Sequence, residues 1–329
     1  MSQSAFSPKD IPDLSGRVYF VTGGTTLISL LLELLINKKI GTAGLGAGSI
    51  ALLAAKNPAH IYFSGRNNKN ANQLISKLKS QSPNVPVTFI NCDLADLTSV
   101  KTAAQTFLDA SDRLDVLYCN AGIMAFGPGL TKDGYEIQFG TNHLGHALLI
   151  KLLLPLMLRT AEQPNSDVRI INMSSIAYQQ APKQGIDFST IKTSQDGLGS
   201  MIPGPRWTRY GQSKLANMLY ARELAKRYPS IKTVSVHPGY IKTDLFANTP
   251  FLTALPVRLS VPLGPGWTPV EQGPYNQTWA GTTARANLEN GAYYVPIAQK
   301  GKLGTAQSRN DQLASELWNW TQKELETYS

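Results

Sequence analysis

The stretch VTGGTTLISLLLELLINKKIGTAGLGAGS, from Val21 to Ser49, decides how the first part of the chain folds. It starts in a β-rich apolar run that ends in two glycines, which is typical of a buried parallel strand entering a turn. An apolar segment of Leu and Ile follows, and a second group of glycines then opens a helix-like stretch. Glycines between a strand and a helix let backbone amides approach a phosphate group. The stretch therefore predicts a phosphate-binding turn split into two parts.

Five more apolar runs repeat the form of the first strand, RVYFVTGG. They are AHIYFSGRN, VPVTFINCDL, LDVLYCNAG, DVRIINMSS and IKTVSVHPG. Helix-like stretches lie between the strands: SIALLAAKN, ANQLISKLKS, TSVKTAAQTFLDA, NHLGHALLIKLLLPLMLRT and YGQSKLANMLYARELAKRY. This alternation of strand and helix predicts an α/β fold with a doubly wound parallel sheet in a single domain.

Two segments interrupt the alternation, residues 179–207 and residues 249–274. Both are rich in Gly, Pro and polar residues. Structureless segments of that length in a compact domain are usually functional lids or substrate walls. We therefore expect two substrate-side loops on a core of residues 16–300.

The composition disfavours several classes of function. The 329 residues are 42% hydrophobic, as in a globular protein with a substantial core. The net charge is +9, but the Lys and Arg residues are scattered, which favours a phosphate-bearing small molecule over nucleic acid. Two cysteines, Cys92 and Cys119, form no disulfide framework, and the polar first residues lack a signal-peptide core. We expect a cytoplasmic location.

Tyr210 and Lys214 are candidates for acid–base chemistry. They are four residues apart at the start of a predicted helix, so their side chains lie on one face. A nearby ammonium favours the phenolate form of tyrosine, as a group that gives and recovers a proton requires. Ser174 and Ser175 end a predicted strand at the sheet edge where α/β proteins bind ligands. A serine there could hold the same carbonyl oxygen.

Taken together, the ordered motifs of the chain resemble the short-chain dehydrogenase/reductase family. The motifs are the glycine turn, CNAG, TNHLGH, NMSS, YGQSK and HPGYIKT. The resemblance covers residues 16–298, and TNHLGHALL, YGQSKLAN and NGAYYVP are similar to the branch of retinol-dehydrogenase-like and fungal secondary-metabolism reductases. It implies a Rossmann-type fold and an oxidoreductase that acts on a small-molecule carbonyl or alcohol. It also implies a homodimer or homotetramer.

The resemblance implies four catalytic residues. Tyr210 would be the acid–base group, and Lys214 would lower its pKa and bind the nicotinamide ribose. Ser175 would orient the substrate carbonyl. Asn142 would anchor a water of the proton relay; its alternative is an amide that satisfies a kink in a helix.

The resemblance also implies the cofactor contacts. Asn120, Ala121 and Gly122 would form the turn over the adenine ribose, and Asp93 would bind the adenine amino group or cap a helix that begins near Leu94. The full predicted set is Gly23, Gly44, Leu45, Gly46, Arg66, Asp93, Asn120, Ala121, Gly122, Tyr210, Lys214, Pro238, Gly239 and Thr243.

Arg66 bears on the choice of nicotinamide cofactor. It follows the second predicted strand, where a carboxylate would bind the free 2′-hydroxyl of NAD. An arginine there can pair with a 2′-phosphate instead, so we expect NADPH. The alternative is that Arg66 is a solvated loop charge.

His143 and His146 are the residues that most suggest a metal. They lie three apart on an apolar predicted helix, with no third ligand nearby in sequence. We expect packed histidines and no metal site. Cys119 stands where the family more often has Asn, and we interpret it as a small buried hydrophobe.

Removing Thr26 to Thr42 closes the split turn to TGGTAGLG, in which Gly23, Gly44 and Gly46 have the family spacing. The seventeen intervening residues are an apparent insertion in the turn, which a retained in-frame intron would explain. A helix over Leu27 to Lys38 is the alternative, but it leaves the pyrophosphate site without its glycines.

Three functions follow from these features. The leading one is an NADPH-dependent oxidoreductase that interconverts a ketone or aldehyde and an alcohol on an apolar substrate, as in secondary-metabolite biosynthesis. The second is a catalytically impaired binding protein, because the insertion splits the cofactor turn. The third is a membrane-surface anchor at Leu27 to Ile36, which is disfavoured because that stretch has no basic polar face.

Overall fold

The six predicted strands all form in the structure, a computed structural model that describes residues 6–24, 44–199, 204–241 and 266–328. Nearly all their side chains are buried or half-buried, because helices cover both faces of the sheet; continuous apolar runs suit such strands. The strands are β1 (Val18–Thr22), β2 (His60–Gly65), β3 (Val87–Asn91), β4 (Val116–Cys119), β5 (Arg169–Met173) and β6 (Lys232–Val236).

The strands form one sheet with the order β3-β2-β1-β4-β5-β6, which two short strands, β7 (Tyr293–Val295) and β8 (Gln299–Lys300), extend. Strands β1 to β7 pair in parallel, and β8 is antiparallel to β7. The strand order reverses at β1, because β2 and β4 pair with its two edges. Ligands bind outside the carboxyl ends of the strands at such a switch point.

Helices pack on both faces of the sheet, which confirms the predicted doubly wound α/β fold. α1, α2 and α6 share one apolar core with the sheet, and α3, α4, α5 and α7 share the other. The α-helices of the described residues are α1 (Leu45–Ala54), α2 (Asn68–Gln81), α3 (Leu97–Ala110), α4 (Ile137–Ala161), α5 (Pro205–Arg227), α6 (Tyr275–Thr282) and α7 (Asp311–Glu324).

α4 is the most apolar long helix among the described residues. Its length and composition would allow it to cross a membrane, but 61% of its most apolar window is buried inside the protein. The helix also contains a π-helical turn, Gly140–Leu144, which lies near the carboxyl edge of the sheet. We interpret α4 as a core helix whose irregular turn presents polar groups to the site.

α5 begins five residues earlier than predicted. Gly204 has φ +95°, and Pro205 takes the first helical position, where its missing amide hydrogen costs nothing. Residues 205–207 are therefore helical, and the end predicted for the first substrate-side loop was wrong. The predicted insertion 26–42 and residues 249–265 of the second loop lie outside the described residues.

The C-terminal part adds elements that the sequence patterns did not reveal, namely β7, β8, α6 and α7. α7 packs on α5, where the Trp318 ring stacks on Tyr220 with centroids 5.0 Å apart. Leu313 and Leu317 of α7 join the same apolar core as α4 and α5. The core therefore extends past residue 300.

Candidate active site

The two parts of the split glycine turn meet in space. β1 ends at Thr22, Gly23 adopts φ +80°, and Gly44 is the N-cap residue of α1. A Cβ atom at Gly46 would lie 2.8 Å from the carbonyl oxygen of Gly23, so only glycine fits this approach without a shift. The N-terminus of α1 thus starts beside the end of β1, as a phosphate-binding turn requires.

The turn Asn120–Gly122 after β4 is tied to the end of β1. The amides of Asn120 and Ala121 donate to Thr22 Oγ1 at 2.9 and 3.0 Å, and Asn120 Nδ2 donates to the Thr22 carbonyl at 2.7 Å. At Gly122, a Cβ atom would lie 2.9 Å from Asn142 Oδ1. Thr22 and the predicted turn therefore form one rigid unit.

A cavity of about 780 Å³ opens at this edge of the sheet. That volume is typical of ligand pockets. Its lining includes Gly23, Gly44, Leu45, Arg66, Asp93, Asn120, Ala121, Gly122 and Thr141. Most of the predicted cofactor residues thus line one cavity.

Two buried polar atoms at this cavity lack a hydrogen-bond partner within the described structure, Asn120 Oδ1 and Thr141 Oγ1. An unpaired buried polar atom costs free energy, so such atoms call for an explanation such as a ligand. A nucleotide carries hydroxyl and amino groups that could pair with them. The residues present therefore fit a bound dinucleotide.

Arg66 and Asp93 face each other across the cavity mouth. Arg66 Nη1 lies 3.8 Å from Asp93 Oδ2, and the Arg66 side chain is 71% exposed. Asp93 Oδ1 accepts the Ala95 amide at 3.0 Å and caps no helix. The N-cap is Asp96, whose carboxylate accepts the amides of Thr98 and Ser99, so the capping alternative for Asp93 was wrong.

Tyr210 lies at the carboxyl edge of the sheet, next to the end of β5. Its side chain is buried, and the Ser175 side chain lies beside its hydroxyl. Burial raises the pKa of Tyr210 to about 12, and the Ser175 side chain opposes that rise. Ser175 Oγ also accepts the Ala177 amide at 3.2 Å, which fixes the serine in place.

Lys214 lies one helical turn after Tyr210, on the same face of α5. Its Nζ is 5.6 Å from the centre of the Tyr210 ring and donates to the Met173 carbonyl at 3.2 Å. Burial lowers the pKa of Lys214 to about 8. Desolvation thus raises the pKa of Tyr210 and lowers the pKa of Lys214. The sequence analysis predicted that Lys214 would lower the pKa of Tyr210, so the direction of the tyrosine shift differs from that prediction.

Asn142 lies in the π-helical turn of α4. Its Oδ1 accepts the Ile123 amide at 2.9 Å, and its Nδ2 donates to the Ile123 carbonyl at 3.0 Å and to Ser213 Oγ at 2.9 Å. The side chain therefore joins α4, α5 and the chain after Gly122. These contacts fit the alternative that the Asn142 amide satisfies backbone groups at a kink in the helix. That Asn142 anchors a water of the proton relay stays a prediction.

His143 and His146 are both buried inside the protein. His146 Nδ1 lies 3.0 Å from the Asn142 carbonyl, and its Nε2 lies 2.8 Å from Thr22 Oγ1. Since a carbonyl only accepts, the proton is on Nδ1 and the Thr22 hydroxyl donates to Nε2. His143 Nε2 lies 3.0 Å from Thr321 Oγ1. Burial lowers the pKa values of His143 and His146 to about 3 and about 4, so both are neutral packed groups.

The segment after β6 holds the last predicted cofactor residues. Gly239 has φ +110°, and a Cβ atom there would lie 2.4 Å from Thr268 Oγ1. Pro238 precedes it at the carboxyl end of the sheet, and Thr243 lies outside the described residues. Neither Pro238 nor Gly239 lines the cavity described above.

Sequence patterns missed two polar groups of the site, the hydroxyls of Thr22 and Thr141. Both residues lie within the motifs VTGG and TNHLGH. The role of Thr22 depends on contacts between strand ends far apart in sequence, and Thr141 lines the cavity. Cys119 is a buried residue at the end of β4, and burial raises the pKa of its thiol. Among the described residues, no group of three His, Cys, Asp or Glu could hold a metal ion.

Comparison with known proteins agrees with this geometry. The family model for short chain dehydrogenases matches residues 40–202. An uncharacterised oxidoreductase of Schizosaccharomyces pombe is 37% identical over 96% of this chain and 87% of its own. The short-chain dehydrogenase/reductase drtF of Aspergillus calidoustus is 34% identical over 97% and 96%.

The chain belongs to the short-chain dehydrogenase/reductase family. Solved structures of similar fold include the Pseudomonas aeruginosa RhlG/NADP complex, with a TM-score of 0.62 and 22% identity over 89% of this chain and 98% of that one. The NADPH-bound carbonyl reductase from chicken fatty liver has a TM-score of 0.59 and 21% identity over 88% and 100%. At these identities the two structures support the fold. Within the family, this chain is an oxidoreductase.

Proposed function

We propose that the chain is an NADPH-dependent oxidoreductase that interconverts a ketone or aldehyde with an alcohol. One observation carries this proposal: Tyr210, Ser175, Lys214 and Asn142 come from three separate elements and converge beside a nucleotide-sized cavity. A Cβ atom at Gly122, which lines that cavity, would be 3.4 Å from Lys214 Nζ. Cofactor and catalytic groups therefore share one site.

The glycine turn would hold the pyrophosphate, with Gly23 and Gly46 allowing the close approach of backbone and α1. Asn120, Ala121 and Gly122 would contact the adenosine side, and Lys214 the nicotinamide ribose. When bound, a reduced nicotinamide supplies the hydride for the carbonyl carbon. The reassembled turn supports cofactor binding and disfavours the alternative of an impaired binding protein.

Tyr210 would donate its proton to the carbonyl oxygen of the substrate. A pKa of about 12 keeps the phenol protonated at neutral pH, so the donor is ready in the reducing direction. Ser175 would hold the same oxygen, since its side chain lies beside the Tyr210 hydroxyl. The phenolate left after transfer is stabilised by the Ser175 hydroxyl and by the Lys214 ammonium.

Arg66 supports the preference for NADPH. Its guanidinium lies at the cavity mouth, is largely exposed and has only Asp93 nearby as an ion-pair partner in the described residues, at 3.8 Å. A 2′-phosphate is a stronger partner for arginine than a distant carboxylate. The NADP and NADPH complexes of similar fold are in keeping with this preference.

The surroundings of Tyr210 favour an apolar substrate. Its ring packs in a cluster with Ala125, Trp207 and the half-buried Met124 and Ala177. Phe126 next to them is 56% exposed and lines the cavity, so its ring offers apolar surface to a ligand bound there. We infer a bulky apolar ketone or alcohol, as in the biosynthesis of secondary metabolites.

Tyr210→Phe tests the proposed function. Removing the proton donor should lower kcat on the order of 10²–10⁴-fold, measured as NADPH consumption with an aryl ketone such as acetophenone. Tyr220→Phe is the matched control, because Tyr220 is also buried on α5 and its hydroxyl bonds only Gln322 among the described residues. Near wild-type turnover by Tyr210→Phe would contradict the assignment.

A further inference from the structure

Arg209, the residue before Tyr210, is the centre of a buried polar cluster that the proposed function does not use. Its side chain is 1% exposed, and its Nε lies 3.2 Å from Oε1 of Glu136, which is fully buried. Arginine and glutamate are almost never buried unless they are paired. The pair joins α5 to the N-cap residue of α4.

The guanidinium also binds the carbonyls of two further chain segments, one of which lines the cavity. Arg209 Nη1 donates to the Gln195 carbonyl at 2.9 Å, and Nη2 donates to the Phe126 carbonyl at 3.2 Å. One side chain therefore fixes three chain segments to the helix that carries Tyr210. The planar fork of arginine has the geometry for such bonds, whereas lysine has a single ammonium.

Glu136 extends this cross-link. Its Oε2 accepts the Phe139 amide at 2.7 Å and so caps α4, and its own amide donates to the Ile191 carbonyl at 2.7 Å. From α5, Gln212 donates to Gln195 Oε1 at 2.9 Å. The starts of α4 and α5 and the loop around Gln195 are thus held together through buried polar groups.

The segment Met124–Phe126 explains why this cluster matters for the site. Ala125 has φ +48°, a conformation that residues other than glycine rarely adopt, and it packs on Tyr210 and Trp207. Phe126, next in the chain, lines the cavity. A strained backbone persists only where its surroundings hold it, and here the Phe126 carbonyl is held by Arg209.

We propose that Arg209 and Glu136 form a positioning pair that sets the segment Met124–Phe126 against Tyr210 and so orients the carbonyl substrate. Stability alone does not account for the pair, because well-packed apolar residues in place of a buried ion pair are often neutral or stabilising. This inference rests on the proposed function.

The test compares Arg209→Lys and Glu136→Gln with Arg169→Lys. Glu136→Gln retains an oxygen for the Phe139 amide, so it is the milder second variant. Arg169 is a matched control at the opposite edge of the sheet: it is fully buried, pairs with Asp167 and donates to the Ala280 and Thr283 carbonyls. Glu136→Gln removes one buried charge, and each of the two Arg→Lys variants replaces a buried guanidinium with an ammonium.

Two readouts separate positioning from folding. With an aryl ketone as the probe, Arg209→Lys and Glu136→Gln should lower kcat/KM for the ketone on the order of 10- to 100-fold and leave the Kd for NADPH unchanged. Amide hydrogen exchange should accelerate in residues 123–128 and 187–195. Arg169→Lys should lower the melting temperature without either change.

The outcomes also distinguish the two proposals. The positioning role would be overturned if Arg209→Lys and Glu136→Gln accelerated amide hydrogen exchange but left kcat/KM unchanged. It would also be overturned if neither variant changed amide hydrogen exchange in residues 123–128 and 187–195. A wild-type chain that binds NADPH but reduces no carbonyl would overturn the proposed function and, with it, the inference. Lower kcat/KM in the two variants with normal kinetics in Arg169→Lys would support both.

Discussion

Lys214 shows how burial sets the chemistry of single residues in this site. Its ammonium has a pKa of about 8 in the folded chain, whereas the ordinary value is 10.5. Between these pH values the unfolded chain binds more protons than the folded chain. Lys214 therefore contributes a free energy of unfolding that rises with pH across this window.

Lys214→Met should remove this dependence. The free energy of unfolding of the wild type, minus that of the variant, should increase from pH 8 to pH 10.5. Urea unfolding at both ends of the window, without cofactor, measures it, and the subtraction cancels the other titrating groups. A difference that stays constant with pH would show that Lys214 has an ordinary pKa.

Arg66→Ala tests the preference for NADPH over NADH. Loss of a guanidinium that pairs with a 2′-phosphate should raise the Kd for NADPH by at least about tenfold and change the Kd for NADH little. Lys79→Ala removes an exposed charge on α2 that does not line the cavity, so it controls for net charge. Equal changes for the two cofactors would remove the NADPH assignment.

Residue spacing predicted some contacts of the site and missed others for a physical reason. Tyr210 and Lys214 are neighbours because four residues make about one helical turn, which the sequence displays directly. Arg209 and Glu136 are far apart in the chain and pair only once α4 and α5 have packed together. No periodic pattern in the sequence predicts such a pair.

At the scale of elements, length decided which strands could be predicted. The six long apolar runs were found as strands, whereas β7 has three residues and β8 has two, too few to show a pattern. α5 was predicted too short, because Gly204 and Pro205 were interpreted as loop residues. Proline at the first helical position is a start signal that could have corrected this prediction.

α7 contributes packing that can be tested by one substitution. Trp318 stacks on Tyr220, and the Arg227 guanidinium lies 4.7 Å from the centre of its ring. Trp318→Ala should lower the free energy of unfolding by about 3–5 kcal/mol, since it leaves a cavity between α5 and α7. Urea denaturation measures the loss, and a value below about 1 kcal/mol would show that α7 is not integral to the core.

At the scale of the whole molecule, the alternation of strand and helix was sufficient to predict the sheet and the edge at which the site lies. The strand order switches direction at β1, and ligands bind outside the carboxyl ends of the strands at such a point. The substrate is less well predicted, because it depends on loop walls, and residues 249–265 lie outside the described structure. A homodimer or homotetramer stays a prediction from the family resemblance.

The central claim is that the glycines of the split turn still form one cofactor site. Titration of the full chain with NADPH, followed by nicotinamide fluorescence, tests it most directly, beside a version that lacks Thr26 to Thr42. The contact between Gly23 and Gly46 predicts saturable binding by the full chain, with similar Kd values for both proteins. Binding by the shortened protein alone would show that the segment blocks the site and would contradict the claim.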